Sequence, residues 1–180
     1  MVSQSRRSLV DDLDPFDRLL EVGIGDRPGV AAALARRGRT VVAIDVSRPD
    51  VPRADVSGVD TGESDAPEVD ARQADVTALA AADDPVAALA TAPFLAEADR
   101  DDGTAPVGRA LPDGFDAVYA CNLPAELQRA TVTLADRLDA TCRFTTLGFE
   151  EPIVPVTRHT LPDTTLCVAR ERNGTRAGDR

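Results

Sequence analysis

Tryptophan and lysine are absent from this sequence, and histidine, methionine and tyrosine occur once each. Aromatic residues make up only 3% of the chain, so its 43% hydrophobic content rests mostly on Ala, Val and Leu, a composition suited to helices packed closely on a sheet. No stretch approaches the roughly 20 apolar residues of a membrane span, which excludes a spanning helix. Arg6-Arg7 resembles the start of a twin-arginine signal, but Asp11, Asp12 and Asp14 follow where an apolar region is required, so export is rejected. Cys121, Cys142 and Cys167 form no CxxC pair; reduced, buried thiols in a cytoplasmic protein are expected. GxSxG, HExxH and P-loop patterns are missing, and the single His159 has no evident ligand partners. Hydrolase and metalloenzyme readings therefore have no residues to carry them, and no metal is expected. There is no internal repeat.

Without lysine, all 20 basic residues are arginine, set against 23 Asp and 8 Glu for a net charge of −11. This balance resembles the bias of salt-loving archaea, where a Debye length of roughly 3 Å at about 1 M salt screens long-range surface electrostatics. The acidity thus says little about partners. It does argue against a nucleic-acid surface, which needs a basic patch.

A length of 180 residues and 19.0 kDa supports one domain with a real core, and one domain over residues 1–170 is expected. Two acidic, Pro- and Gly-punctuated stretches near 47–70 and 96–114 read as insertions, and residues 171–180 as a polar tail. Helices are expected over Ser5 to Leu13, Arg27 or Pro28 to Arg37, Ala78 to Ala92 with a break at Asp83-Asp84-Pro85, and Pro124 to Leu138. Strands are expected at Phe16 to Val22, Thr40 to Ile44, Ala71 to Val76, Phe115 to Ala120, Thr141 to Leu147 and, at an edge, Thr164 to Ala169. Gly148 to Pro162 reads as a loop carrying Glu150, Glu151 and His159. The fold class is α/β, a Rossmann-like three-layer α/β/α domain with a mostly parallel sheet.

The stretch Leu19 to Asp45 organises the rest. Leu19, Leu20 and Val22 run into Glu21-Val22-Gly23-Ile24-Gly25, an alanine-rich helical segment follows, Gly38 closes it, and a β-branched run ends at Asp45. This is a right-handed βαβ unit with its glycine turn at the carboxyl end of the first strand, where open α/β sheets bind ligands. A dinucleotide turn wants G-x-G-x-x-G; Gly23 and Gly25 fit, but Pro28 stands at the third place and Gly29 is one position late. Glu21 and Asp26 also put negative charge where a pyrophosphate would lie. S-adenosylmethionine has no phosphate and carries an ammonium and a sulfonium that an acidic turn attracts. Asp45, 20 positions beyond Gly25, can accept both ribose hydroxyls of either ligand, and Asp75 can flank an adenine. The expected ligand is thus S-adenosylmethionine or a related nucleoside-type compound held by Glu21, Gly23, Gly25, Asp45 and Asp75. NAD(H), bound as in the ligand-gating domains of potassium channels, is the alternative, since Arg27 could offset the acids. A third reading is a non-catalytic interaction domain. No oligomer is indicated.

Glu21 to Gly25 followed by VAAALARRGRTVVAIDV is similar to the first two motifs of Rossmann-like methyltransferases. That stretch, with FDAVYACNLPAELQ (Phe115 to Gln128) and the TLGFEE region, more closely resembles a short uncharacterised protein family of archaea with a Rossmann-like fold. The resemblance implies the fold and leaves the reaction open. Asn122 and Pro124 match in place the N-P-P-Y signature of amino-group methyltransferases, whereas Leu123 and Ala125 depart from it. If methyl is transferred, Asn122 is the candidate catalytic residue, holding the nucleophile in line with the sulfonium methyl. A turn or helix cap is its plainer role.

Overall fold

The computed structural model describes residues 4–25, 28–46, 69–93, 110–148 and 150–172. Helix α1 (Gln4–Leu13) leads into β1 (Arg18–Val22), α2 (Gly29–Arg36) and β2 (Thr40–Asp45), the expected βαβ unit. Then come β3 (Asp70–Gln73), α3 (Val76–Ala81), α4 (Pro85–Ala90), β4 (Ala117–Leu123), α5 (Ala125–Arg137), β5 (Thr141–Thr146), β6 (Thr157–Leu161) and β7 (Thr164–Arg170). The stretches expected as insertions near 47–70 and 96–114, and the tail from 171, fall largely outside the described residues.

The seven strands among the described residues lie in the order β3-β2-β1-β4-β5-β7-β6. Neighbours from β3 to β5 are parallel, while β7 runs antiparallel between β5 and β6. Successive side chains alternate across this sheet, so each inner strand feeds two cores. Leu19, Val41, Ala43 and Ala117 pack with Leu9, Leu13, Val30 and Leu34 of α1 and α2 on one face. Leu20, Val22, Val42, Ile44 and Val118 pack on the other face with Val76, Leu79, Leu89 and Leu134 of α3, α4 and α5. Because α2 reads GVAAALAR, its small side chains let it lie close to the strands.

Two helix ends follow their expected chemistry. Gly38 takes φ 82 beyond α2, and its N–H reaches the Ala35 carbonyl at 2.9 Å. Asp84 caps α4 by accepting from the N–H groups of Val86 and Ala87, with Pro85 just inside the helix; this splits the 78–92 helix where Asp83-Asp84-Pro85 predicted.

The later strands correct the sequence reading. Instead of about five strands and one late edge strand there are seven among the described residues, and the segment expected as a loop contains β6. Thr157 to Thr160 are exposed at the sheet edge and only Leu161 is partly buried, so no apolar alternation marks them. The Pro162-Asp163 corner, with Asp163 at φ 63, pairs Leu161 with Thr164 and turns the chain back as β7, which is an inner strand and not the edge. The third strand also stops at Gln73, short of Asp75.

Arg72, unremarkable in the sequence, is the largest fully buried side chain, 1% exposed. Its guanidinium forks onto the Asp70 carboxylate at 3.0 and 2.9 Å and donates to the carbonyls of Leu89 and Ala90 at the end of α4. Removing one member of such a pair leaves the other charge stranded. Arg72→Met is therefore expected to destabilise the fold by about 3–5 kcal/mol in chemical denaturation. The double change Asp70→Asn/Arg72→Met should recover part of that loss.

Candidate functional site

Between β1 and β4 the strand order reverses, and a crevice opens at the carboxyl ends of these two strands. Gly23 and Gly25 adopt φ 75 and 52, a left-handed geometry that side chains resist. A Cβ at either would meet nothing within 4 Å, so the turn faces open space. Its N–H groups point elsewhere: Gly23 and Ile24 donate to the Ile44 carbonyl at 2.8 and 3.3 Å, and Gly25 donates to Asp45 Oδ2 at 2.9 Å. Turn, first strand and second carboxylate are thus brought together as the sequence predicted.

Glu21 sits on the α1–α2 face of β1, in register with Tyr119 on β4. That register carries the Tyr119 hydroxyl to Glu21 Oε2, to which it donates at 3.0 Å. Glu21 is 1% exposed, and burial pushes its carboxyl up to about 7, against the opposing pull of hydrogen bonds from Tyr119 and Cys121. Burial, and then the Glu21 charge, raise the Cys121 thiol well above its usual range, so it stays protonated rather than serving as a nucleophile.

Two cavities meet at Gly23, Cys121 and Asn122. The larger, about 510 Å³, is walled by α1 and the ends of β1, β4 and β5, and its lining includes Arg6, Glu21, Gly25 and Thr145. The smaller, about 270 Å³, is mostly apolar, lined by Val22, Ile44, Ala74, Val76, Leu123 and Leu127 with Asp45 at its edge. Asn122 stands in a bulge of β4 with φ 57, held there by its N–H donating to Thr145 Oγ1 at 2.8 Å. It is not a helix cap, since Pro124 occupies that position before α5. Its exposed side chain borders both cavities.

Asp75 is committed locally. Its carboxylate accepts from the Thr77 N–H at 2.7 Å and caps α3, while its neighbours Ala74 and Val76 line the smaller cavity. Glu150 and Glu151 lie apart, near the β6–β7 hairpin, where Glu151 pairs with Arg158. His159 is exposed on β6, and no cluster suited to a metal occurs among the described residues. Sequence reasoning missed Arg6 and Thr145; neither carries a motif, and only the fold brings them to the crevice.

Sheet order, glycine turn and crevice define a Rossmann-like α/β domain. The chain is similar over 93% of its length to the magnesium protoporphyrin IX methyltransferase of Synechocystis, crystallised with bound SAH (TM-score 0.51, 83% of that chain) and with bound SAM (TM-score 0.50, 79% of that chain). At 13% identity in both, this likeness shows the fold alone. The chain belongs to the uncharacterised protein family UPF0146, whose profile matches residues 58–164. Two UPF0146 proteins from strains of Halobacterium salinarum are 38% identical to it over 160 residues, 88% of this chain and 92% of each relative. No helix among the described residues is long and apolar enough to cross a membrane.

The Glu21 carboxyl also makes stability depend on pH. Its folded value of about 7 lies above the ordinary 4.5, so the folded chain holds an extra proton between the two. The stability it contributes is full below about 4.5 and is lost as pH rises through about 7, on the order of 3 kcal/mol in all. Glu21→Gln should gain about that much relative to the parent between pH 4 and 8 in denaturant titrations. Parallel pH profiles for the two proteins would contradict the assignment.

Proposed function

We propose that this protein binds S-adenosylmethionine or a closely related adenosyl compound across the two joined cavities, and that methyl transfer is the reaction the site serves. The observation that carries the reading is the direction of the turn's N–H groups. Those of Gly23, Ile24 and Gly25 are bonded to the end of β2, and Pro28 has none, so these four positions offer a pyrophosphate no donor. Once ionised, above about pH 7, the Glu21 carboxylate further repels phosphate and attracts a cationic ligand. The apolar smaller cavity suits an adenine between Ile44, Val76 and Leu127. Asp45 then meets the ribose hydroxyls. Asn122, at the junction, is the group that would orient an acceptor nucleophile toward the sulfonium methyl, the positioning that methyl transfer chiefly requires. The bound SAM and SAH of the Synechocystis enzyme, on the same fold, support this reading.

Calorimetry in concentrated salt tests it. Both S-adenosylmethionine and S-adenosylhomocysteine should bind, and Asp45→Ala should weaken both by roughly 10- to 100-fold, the loss of charge-assisted hydrogen bonds. Absence of binding by either, or tighter binding of NADH, would overturn the proposal.

A further inference from the structure

The sheet formed by the described residues has two edges, and they are finished differently. At β3 other parts of the chain lie along the rim: the Gln73 N–H donates to the Pro93 carbonyl at 2.7 Å, and the Gln73 side-chain amide donates to the Val46 carbonyl at 3.2 Å. At β6 no turn or loop among the described residues bonds the backbone of Thr157–Leu161. Open edges are commonly guarded against pairing by lysine, an internal proline or a bulge. β6 has none of these. Its ladder with β7 runs without a register shift, whereas both ladders of β5 contain one, and Pro155 and Pro162 stand outside the strand. Arg158 is already paired with Glu151, and none of the chain's 31 acidic residues lies in β6.

The hairpin register decides which backbone groups of β6 are free. The Pro162-Asp163 corner makes Leu161 and Thr164 the bonded pair that closes the hairpin. In an antiparallel ladder such pairs alternate, so His159 and Thr157 also bond toward β7, while Arg158 and Thr160 direct their N–H and C=O groups outward. These two residues lie symmetrically about His159. A second β6 related by a two-fold axis at His159 sets Arg158 against the partner's Thr160 and Thr160 against the partner's Arg158, so every outward group is bonded in a single register. We propose that this protein pairs with a second copy of itself through β6, antiparallel and two-fold, joining two sheets into one. The covered β3 edge means that pairing closes at two copies and does not grow into an array. The side chains fit this register: His159 faces its equivalent, Thr157 faces the partner's Leu161, and each Arg158 keeps its own Glu151. Thr164, opposite Leu161, also lines the larger cavity, so the pairing braces one wall of the crevice whatever ligand the crevice takes.

Sedimentation equilibrium of the full chain in concentrated salt should show monomer and dimer. Mild oxidation should cross-link His159→Cys between copies, because the axis puts equivalent positions at the close spacing of about 4.5 Å between Cα atoms. Thr157→Cys, which faces the partner's Leu161, should stay uncross-linked. Thr160→Pro removes an N–H that β7 does not use and should give a folded monomer by circular dichroism. In the parent, exchange of the Arg158 and Thr160 amides should slow at least about tenfold as rising protein concentration drives dimerisation; this measurement decides the matter if Thr160→Pro fails to fold. A parent monomeric up to about 1 mM, a folded Thr160→Pro that still dimerises, or a dimer in which Thr157→Cys cross-links as readily as His159→Cys overturns the proposal. A monomer whose Arg158 and Thr160 amides are already protected assigns the edge to another segment and overturns it equally.

Discussion

The hydrogen bond from the Gly25 N–H to the Asp45 carboxylate ties the bend after β1 to the end of β2, and the crevice depends on it. With Gly23 and Ile24 both bonded to the Ile44 carbonyl, three consecutive amides lean toward the second strand. Only residues able to take positive φ can hold that path, which accounts for glycine at 23 and 25 although neither position is crowded. The consequence is chemical. With their N–H groups already satisfied, Gly23, Ile24 and Gly25 donate nothing to a phosphate, and the carboxyl groups of Glu21 and Asp45 stand at the ends of the two strands they join.

Glu21 shows what the site costs the fold. It occupies a position on β1 where Leu19, two residues earlier, is an ordinary core residue on the same face. A carboxyl there loses most of its hydration, and the Tyr119 hydroxyl and Cys121 thiol restore only part of it. An apolar residue would be the more stabilising choice. That an acid stands there, at the floor of a cavity of about 510 Å³, is understandable if a positive group meets it there. Arg72, buried on the same sheet, makes the contrast clear: its guanidinium is held by the Asp70 carboxylate and by the carbonyls of Leu89 and Ala90.

Much of this architecture was legible in the residues. Leu19 to Asp45 announces strand, turn, helix and strand because apolar period, positive-φ glycines and a closing Gly38 all agree. The convergence of Glu21, Gly23, Gly25 and Asp45 follows, since a crossover connection puts both strand ends at one edge. What escaped was structure without a hydrophobic signature. TRHTL makes β6 through backbone pairing to β7, with only Leu161 partly buried and so no alternation to betray it. Asn122 looked like a residue before a helix, but the bulge that tilts it to φ 57 depends on Thr145 of a strand 23 residues away. Arg6 belongs to a helix whose apolar spacing was visible, while the cavity that helix borders exists only in the folded chain.

The central claim is that this crevice suits a positively charged nucleoside better than a phosphorylated one. Native mass spectrometry after incubation with equal concentrations of S-adenosylmethionine and NADH weighs the two directly. The adduct expected on the folded protein has the mass of S-adenosylmethionine, with little or none of the dinucleotide. A spectrum dominated by the NADH adduct, or one holding neither ligand, would contradict the account.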